Sequence, residues 1–266
     1  MEKKVTIHDI AREAGVSAAT VSYIINNRTD KSISAETRQR VLHIINLYNY
    51  KPAAFAKNLR STPDFKLIAL LSGENDSALY GGEFEYFTKC LSDVFPADKY
   101  GIILCRPPYR RIEQADAIIA YNTNLTSFRA IAEANYVPLI AVDCIPNDTL
   151  FFQITTDYDK LRVSAEEQFG YDYTFISLSP SDESVKAQVK DAFPNGIFIN
   201  TLAELRNMEC STNIVTTDKT VAEYFSGSRK HVFFDEKHAK NKCDCIFSCM
   251  ERVLQRIPFD THFYKI

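Results

Sequence analysis

The sequence has no apolar run approaching the roughly 18 residues that a membrane-spanning helix requires. Its first residues, Met1-Glu2-Lys3-Lys4-Val5, lead into polar helical sequence rather than a signal-peptide core, so a cytoplasmic location is expected and no membrane partner. Also lacking are a Gly-rich phosphate loop, a nucleophile elbow, a His-Glu-x-x-His and a paired Cys-x-x-Cys. The isolated Gly81-Gly82 reads as a loop, and nothing in the chain points to an enzyme. The seven cysteines are odd in number and show no framework spacing, which suits reduced thiols. Cys243, Cys245 and Cys249 invite a zinc reading, but no second pair accompanies them and His238 alone is a poor fourth ligand. Ordinary thiols are the reading, with no metal and no cofactor.

What is present is a chain of 266 residues, 45% hydrophobic, enough for two folded domains. The net charge of −3 averages two unlike regions: residues 1–62 carry ten Lys and Arg against five Asp and Glu, and the remainder is acidic. The basic end is therefore the place to look for phosphate binding.

That end reads as three helices. Thr6 can cap a first helix, with Asp9 three residues on complementing its positive end, and Ile7, Ile10, Ala11 and Ala14 make one apolar face. Gly15 stands where a helix end needs a left-handed residue, and Ser17 caps a second helix. There Val21, Ile24 and Ile25 point inward, leaving Ala18, Ala19, Ser22 and Tyr23 on or near the opposite face, free to meet a groove. A third helix over 34–49 turns Val41, Ile44, Ile45 and Tyr48 inward and closes a trihelical core. Periodicity alone would equally describe a small protein-interaction module.

The residues themselves say more. The run from Val5-Thr6-Ile7-His8-Asp9-Ile10-Ala11 through Gly15-Val16-Ser17-Ala18-Ala19-Thr20-Val21-Ser22 closely resembles the head of the lactose-repressor (LacI/GalR) family of bacterial regulators. The likeness continues through Ile25-Asn26, Ser34-Ala35-Glu36-Thr37-Arg38, Asn49-Tyr50-Lys51-Pro52 and Ala56-Lys57-Asn58-Leu59-Arg60. The resemblance implies a helix-turn-helix DNA-binding domain over residues 1–51, a hinge helix and linker over 52–64, and a reduced sensor and dimerisation domain over 65–266. By that resemblance Thr6 and Ile7 approach the DNA, and Ser17, Thr20, Ser22 and Asn26 look like phosphate contacts that fix register. Ala18, Ala19 and Tyr23 fall on base-reading positions, where alanines offer methyls to thymine and the phenol a hydrogen bond; simple packing on the helix surface is the alternative for Tyr23. Lys57, Asn58, Leu59 and Arg60 match the hinge, with Leu59 as the wedge inserted into the minor groove, although a buried linker leucine would look the same. Ala53 stands where the family usually has Asn or Ser, so a probable hinge cap is missing.

Beyond the linker, short apolar runs alternate with amphipathic stretches in a βα rhythm. Strands are expected over 67–71, 101–105, 117–121, 139–142, 175–178, 196–199, 213–215 and 231–234, with helices over 83–94, 127–134, 157–169, 183–193 and 243–256. The eleven residues 106–116 contain Pro107-Pro108 and barely bridge parallel strands, so an extended strap is expected where the family carries a helix. Short matches such as Ala115-Asp116-Ala117-Ile118-Ile119 and Val137-Pro138-Leu139-Ile140-Ala141-Val142-Asp143 are similar to the family's sensor. The expected fold is an all-α helix-turn-helix head plus hinge helix, followed by an α/β two-lobed periplasmic-binding-protein-like body with parallel sheets.

The family's ligand positions are poorly kept. Asp235 matches a ligand-contacting aspartate, Lys186 is an uncertain substitute for an expected arginine, and Tyr158 replaces an Asn after Asp157. Asp157, Lys186 and Asp235 are the candidate effector contacts, with solvated or helix-capping carboxylates as the alternative for the two aspartates. The implied partners are a double-stranded DNA operator, a second copy of the chain in a homodimer, and a sugar-like or nucleobase-like effector or a protein co-regulator. The competing function is a regulator or architectural DNA binder whose body only dimerises or meets a protein.

Overall fold

The computed structural model describes residues 5–25, 33–48, 50, 65–109, 111–227, 231–255, 257 and 260–266. Asn26, Ala53, Lys57, Asn58, Leu59, Arg60 and the 61–64 linker lie outside the described residues, so the hinge expectations are carried on the sequence alone.

The head consists of α1 (Ile7–Ala14), α2 (Ala18–Ile25) and α3 (Ala35–Leu47) around a core of Ile10, Val21, Ile24, Val41 and Ile45. Gly15 takes the left-handed conformation at φ 64°, ending α1 and allowing the tight turn into α2. Arg40 on α3 reaches across to donate to the Ala14 carbonyl at 3.0 Å, satisfying a helix-end acceptor.

The body has two lobes. In the first, a parallel six-stranded sheet runs in the order β10-β5-β4-β3-β1-β2, from β1 (Lys66–Ser72), β2 (Tyr100–Cys105), β3 (Ala117–Tyr121), β4 (Leu139–Val142), β5 (Phe152–Thr155) and β10 (Phe263–Lys265). Its central strands are mostly apolar because both faces are covered. Ile68, Leu70, Ile119 and Ile140 pack on one side with α4 (Ala78–Val94) and α10 (Glu236–Gln255), while Ala69, Leu71, Ile118 and Ala141 pack on the other with α5 (Leu125–Ala134). As expected, the chain crosses from β2 over β1 to β3 with no helix among the described residues of 106–116.

The second lobe is a parallel sheet in the order β7-β6-β8-β9, from β6 (Tyr173–Leu178), β7 (Ile197–Ile199), β8 (Asn213–Val215) and β9 (Val232–Phe233). It is packed by α6 (Tyr158–Phe169), α7 (Glu183–Ala192), α8 (Leu202–Arg206) and α9 (Lys219–Ser226). The chain enters this lobe after β5 and returns through α10, whose Cys243, Ile246, Cys249 and Met250 fill the first lobe's core.

One expectation is corrected. Gly81-Gly82 is no loop but part of the first turns of α4. A Cβ on Gly82 would lie 2.8 Å from the Thr220 methyl of α9, so the missing side chain is what lets α4 of one lobe lie against α9 of the other.

Candidate nucleic-acid interface and interlobe cavity

The outward side of the head is set by its core. With Val21, Ile24 and Ile25 buried, Ser17 and Ala19 are exposed, and Ala18, Thr20, Ser22 and Tyr23 keep part of their surface on the outside of α2. Ser17 Oγ accepts from the Thr20 N–H at 3.0 Å, capping α2, and the two hydroxyls lie 2.9 Å apart. The exposed Thr6 and half-buried Ile7 open α1. Thr6 Oγ1 accepts from the Asp9 N–H at 3.3 Å, and the Asp9 carboxylate accepts from the Thr6 N–H at 2.9 Å. The Thr6 hydroxyl and backbone, then Arg12, hold the Asp9 carboxyl down at about 2. The structure thus gathers Ala18, Ala19, Thr20, Ser22 and Tyr23 on one short helix backed by a buried core, with Ser17 capping its N-terminus.

A second feature lies between the lobes, a cavity of about 240 Å³. It is bounded by strand ends of the first lobe and by Ser177, Ser181, Thr217 and Asp218 of the second. Asn122 and Asp143 follow β3 and β4 at φ 48° and 51°, left-handed positions that Asn and Asp tolerate best after glycine. Gly73 follows β1 in the same rim, and a Cβ there would fall 2.2 Å from the Asn122 carbonyl oxygen.

Three contacts draw the lobes together around it. Tyr80 of α4 donates to the Ser179 carbonyl at 2.8 Å, Asn122 Oδ1 accepts from the Ser181 N–H at 2.9 Å, and Glu83 Oε2 accepts from the Thr220 N–H at 3.1 Å and its hydroxyl at 3.3 Å. Leu79 and Tyr80 also enter the second lobe's apolar core beside Ile176 and Leu178.

The floor is charged. Lys242 of α10 donates to both carboxylate oxygens of Asp143, at 2.9 and 3.0 Å, and to Thr156 Oγ1 at 3.0 Å. His238, one turn earlier, meets the same Thr156 oxygen at 3.2 Å, and burial followed by the Lys242 charge pushes its imidazole down to about 4. Asp218 Oδ2 accepts from the Leu178 N–H at 2.9 Å. Burial raises Glu83, and raises Asp218 well above the usual carboxylate range with the Glu83 charge as its second cause.

Asp157, Lys186 and Asp235 are not among the cavity-lining residues. Asp157 caps α6 through the Lys160 N–H at 3.1 Å, Lys186 pairs with Glu183 at 3.2 Å, and the exposed Asp235 accepts from the Lys237 N–H at 2.9 Å. Sequence reasoning did not single out Glu83, Asp143, Asp218 and Lys242. Lys242 had a signal, since it interrupts the apolar stripe that Cys243, Ile246, Cys249 and Met250 form on α10. Tyr158, noted as a departure, is buried in the cavity wall.

Known proteins match both parts. Residues 6–53 fit the profile of bacterial regulatory proteins, lacI family. Catabolite control protein A of Staphylococcus epidermidis is 47% identical over 203 residues, 69% of this chain and 58% of that protein. The HTH-type transcriptional regulator pepR1 of Lactobacillus delbrueckii subsp. lactis is 28% identical over 176 residues, 62% of this chain and 51% of that one. The chain thus spans about half the length of these relatives. A LacI transcriptional regulator from Lactobacillus brevis superposes with a TM-score of 0.50 at 11% identity, covering 76% of this chain and 98% of that one. No helix among the described residues is long and apolar enough to cross a membrane. Residues 6–53 are a helix-turn-helix head of the lacI family of bacterial regulatory proteins, carried on an α/β body of two parallel-sheet lobes.

Proposed function

We propose that this chain is a sequence-specific DNA-binding transcription regulator that binds a pseudo-palindromic operator as a homodimer and is gated by a small effector held between its lobes. The observation that carries the reading is the outward side of α2, where Ser17, Ala18, Ala19, Thr20, Ser22 and Tyr23 are presented from a lacI-family head. Short hydroxyls there suit close approach to phosphate, and the alanines with Tyr23 meet base edges. Thr6, Ile7, Asn26, Lys57, Asn58 and Arg60 complete the contacts, with Leu59 in the minor groove.

One head makes few contacts, so specific affinity needs two, and a twofold dimer imposes a dyad on its site. The interlobe cavity supports gating over a body that only dimerises. A ligand that prefers the closed lobes shifts their equilibrium by its differential affinity. Genome-wide mapping of bound DNA in the source organism tests the reading. The expected result is discrete sites sharing a motif of two half-sites related by a dyad; even coverage without a motif would contradict it.

A further inference from the structure

The cavity's charges do not balance. Its one buried cation, Lys242, is taken by Asp143, which it grips with both oxygens, and by Thr156. At the rim Arg106 lies 3.9 Å from Asp76. Glu83 and Asp218 remain on the inner wall, and the contacts made to them there come from neutral donors, the Thr220 N–H and hydroxyl, the Leu178 N–H and the Thr217 hydroxyl. Glu83 is buried and Asp218 half-buried; desolvation disfavours the charge on both and Glu83 disfavours that on Asp218, while the Lys242 charge offsets part of this for each.

A third group points the same way. Ser177 on β6 is 3% exposed and lines the cavity, and its hydroxyl has no hydrogen-bond partner among the described residues. A buried hydroxyl of this kind is expected to meet a donor or acceptor. Tyr80, Phe84, Tyr121 and Tyr158 also line the cavity.

Of the helix N-termini near the cavity, that of α4 at Ser77 carries no side-chain cap, and those of α7 and α9 carry aspartates. α7 begins at Asp182, whose carboxylate accepts from the Ser184 and Val185 N–H groups, and α9 begins at Asp218 itself. A phosphate or carboxylate ligand would meet two carboxylates on the inner wall with no unpaired buried cation to receive it. A neutral sugar would satisfy hydrogen bonds and leave burial favouring the neutral form of the two carboxyls. A protonated amine would satisfy hydrogen bonds and favour their charged form.

Resting on the gating reading above, we infer that the effector is a small organic cation with a primary ammonium group, seated between Glu83 and Asp218 with Ser177 as a further contact. At about 240 Å³ the space falls below the roughly 300 Å³ where sites for drug-sized ligands begin, so the ligand is metabolite-sized.

The test uses the full chain and matched probes in thermal-shift and calorimetric titrations: putrescine against 1,4-butanediol, and glucosamine against glucose and glucose 6-phosphate. At least one ammonium probe is expected to stabilise the protein while its neutral and anionic counterparts do not. Glu83→Gln, which keeps an acceptor for Thr220, should weaken that probe by about tenfold or more, as loss of a charge-assisted contact does. Without ligand, the same variant should melt no lower than the parent, since it removes a carboxyl whose charge burial disfavours and keeps an acceptor for Thr220. Glucose or glucose 6-phosphate binding better than glucosamine, and lost on Ser177→Leu, would overturn the cation and leave gating intact. Failure of every probe would overturn the cation, and so would Glu83→Gln leaving ammonium affinity unchanged. Ammonium binding that leaves operator affinity unaltered would uphold the cation and defeat gating.

Discussion

Two glycines show how much of the cavity depends on missing atoms. Gly73 allows the ends of β1 and β3 to meet, and because an added Cβ would sit 2.2 Å from a backbone oxygen, only a backbone shift can relieve it. Gly73→Ala should lower stability by about 1–3 kcal/mol, the range for overpacking, read by urea unfolding with circular dichroism. Gly82 was legible as a glycine and illegible as a contact, since nothing local announces that Thr220, far along the chain, packs against it.

His238 gives a second prediction at this scale. Its folded value lies below its ordinary one, so the unfolded chain binds more protons between pH 6.5 and about 4, and its contribution to stability falls as pH drops through that window. Glu83 and Asp218, raised in the folded state, act in the opposite sense as pH rises above the ordinary carboxylate range. The difference between the parent and His238→Asn isolates the imidazole. The stability gap between them should change in the variant's favour from pH 7 to pH 5 in urea titrations, and a constant gap would show that His238 protonates freely.

Elements were read better than sites. The capping box at Thr6, Gly15 and the spacing of Val21, Ile24 and Ile25 are local signals, and α1, α2 and α3 formed where they predict. Thr6→Ala should destabilise the head by about 1 kcal/mol, the typical loss of an N-cap, and allow the Asp9 carboxyl to titrate above its present value of about 2 in an NMR titration. In the body the eight strands expected from apolar runs are present, but β5 and β10 were missed. β5 hides a buried polar residue, Gln153, whose amide is satisfied by the Asn147 N–H and the Asp148 carbonyl, and β10 is a three-residue edge strand ending in Lys265. α8 and α9 were passed over too, at five and eight residues long. The cavity was the least legible part, because Glu83, Asp143, Asp218 and Lys242 come from four segments that only the tertiary fold assembles.

In the proposed function a DNA-reading head is joined to a body whose lobes close on a ligand through a hinge helix and linker expected over residues 52–64. Leu59→Ala should leave the head folded, since its core of Ile10, Val21, Ile24 and Val41 does not include it. Operator affinity and DNA bending should fall, because a methyl cannot fill an opened base step. Non-specific binding, carried by Lys and Arg on phosphates, should be little changed. Gel-shift and bending assays on the mapped operator would separate these effects.

The central claim is that α2 reads base sequence, and selection from random duplex DNA by the parent chain and by Tyr23→Ala tests it most directly. The parent is predicted to enrich a motif with dyad symmetry, and Tyr23→Ala to enrich one with altered preference at the same position in each half-site. A parent that enriches no motif would contradict the claim, and an unchanged motif from Tyr23→Ala would remove Tyr23 from base reading.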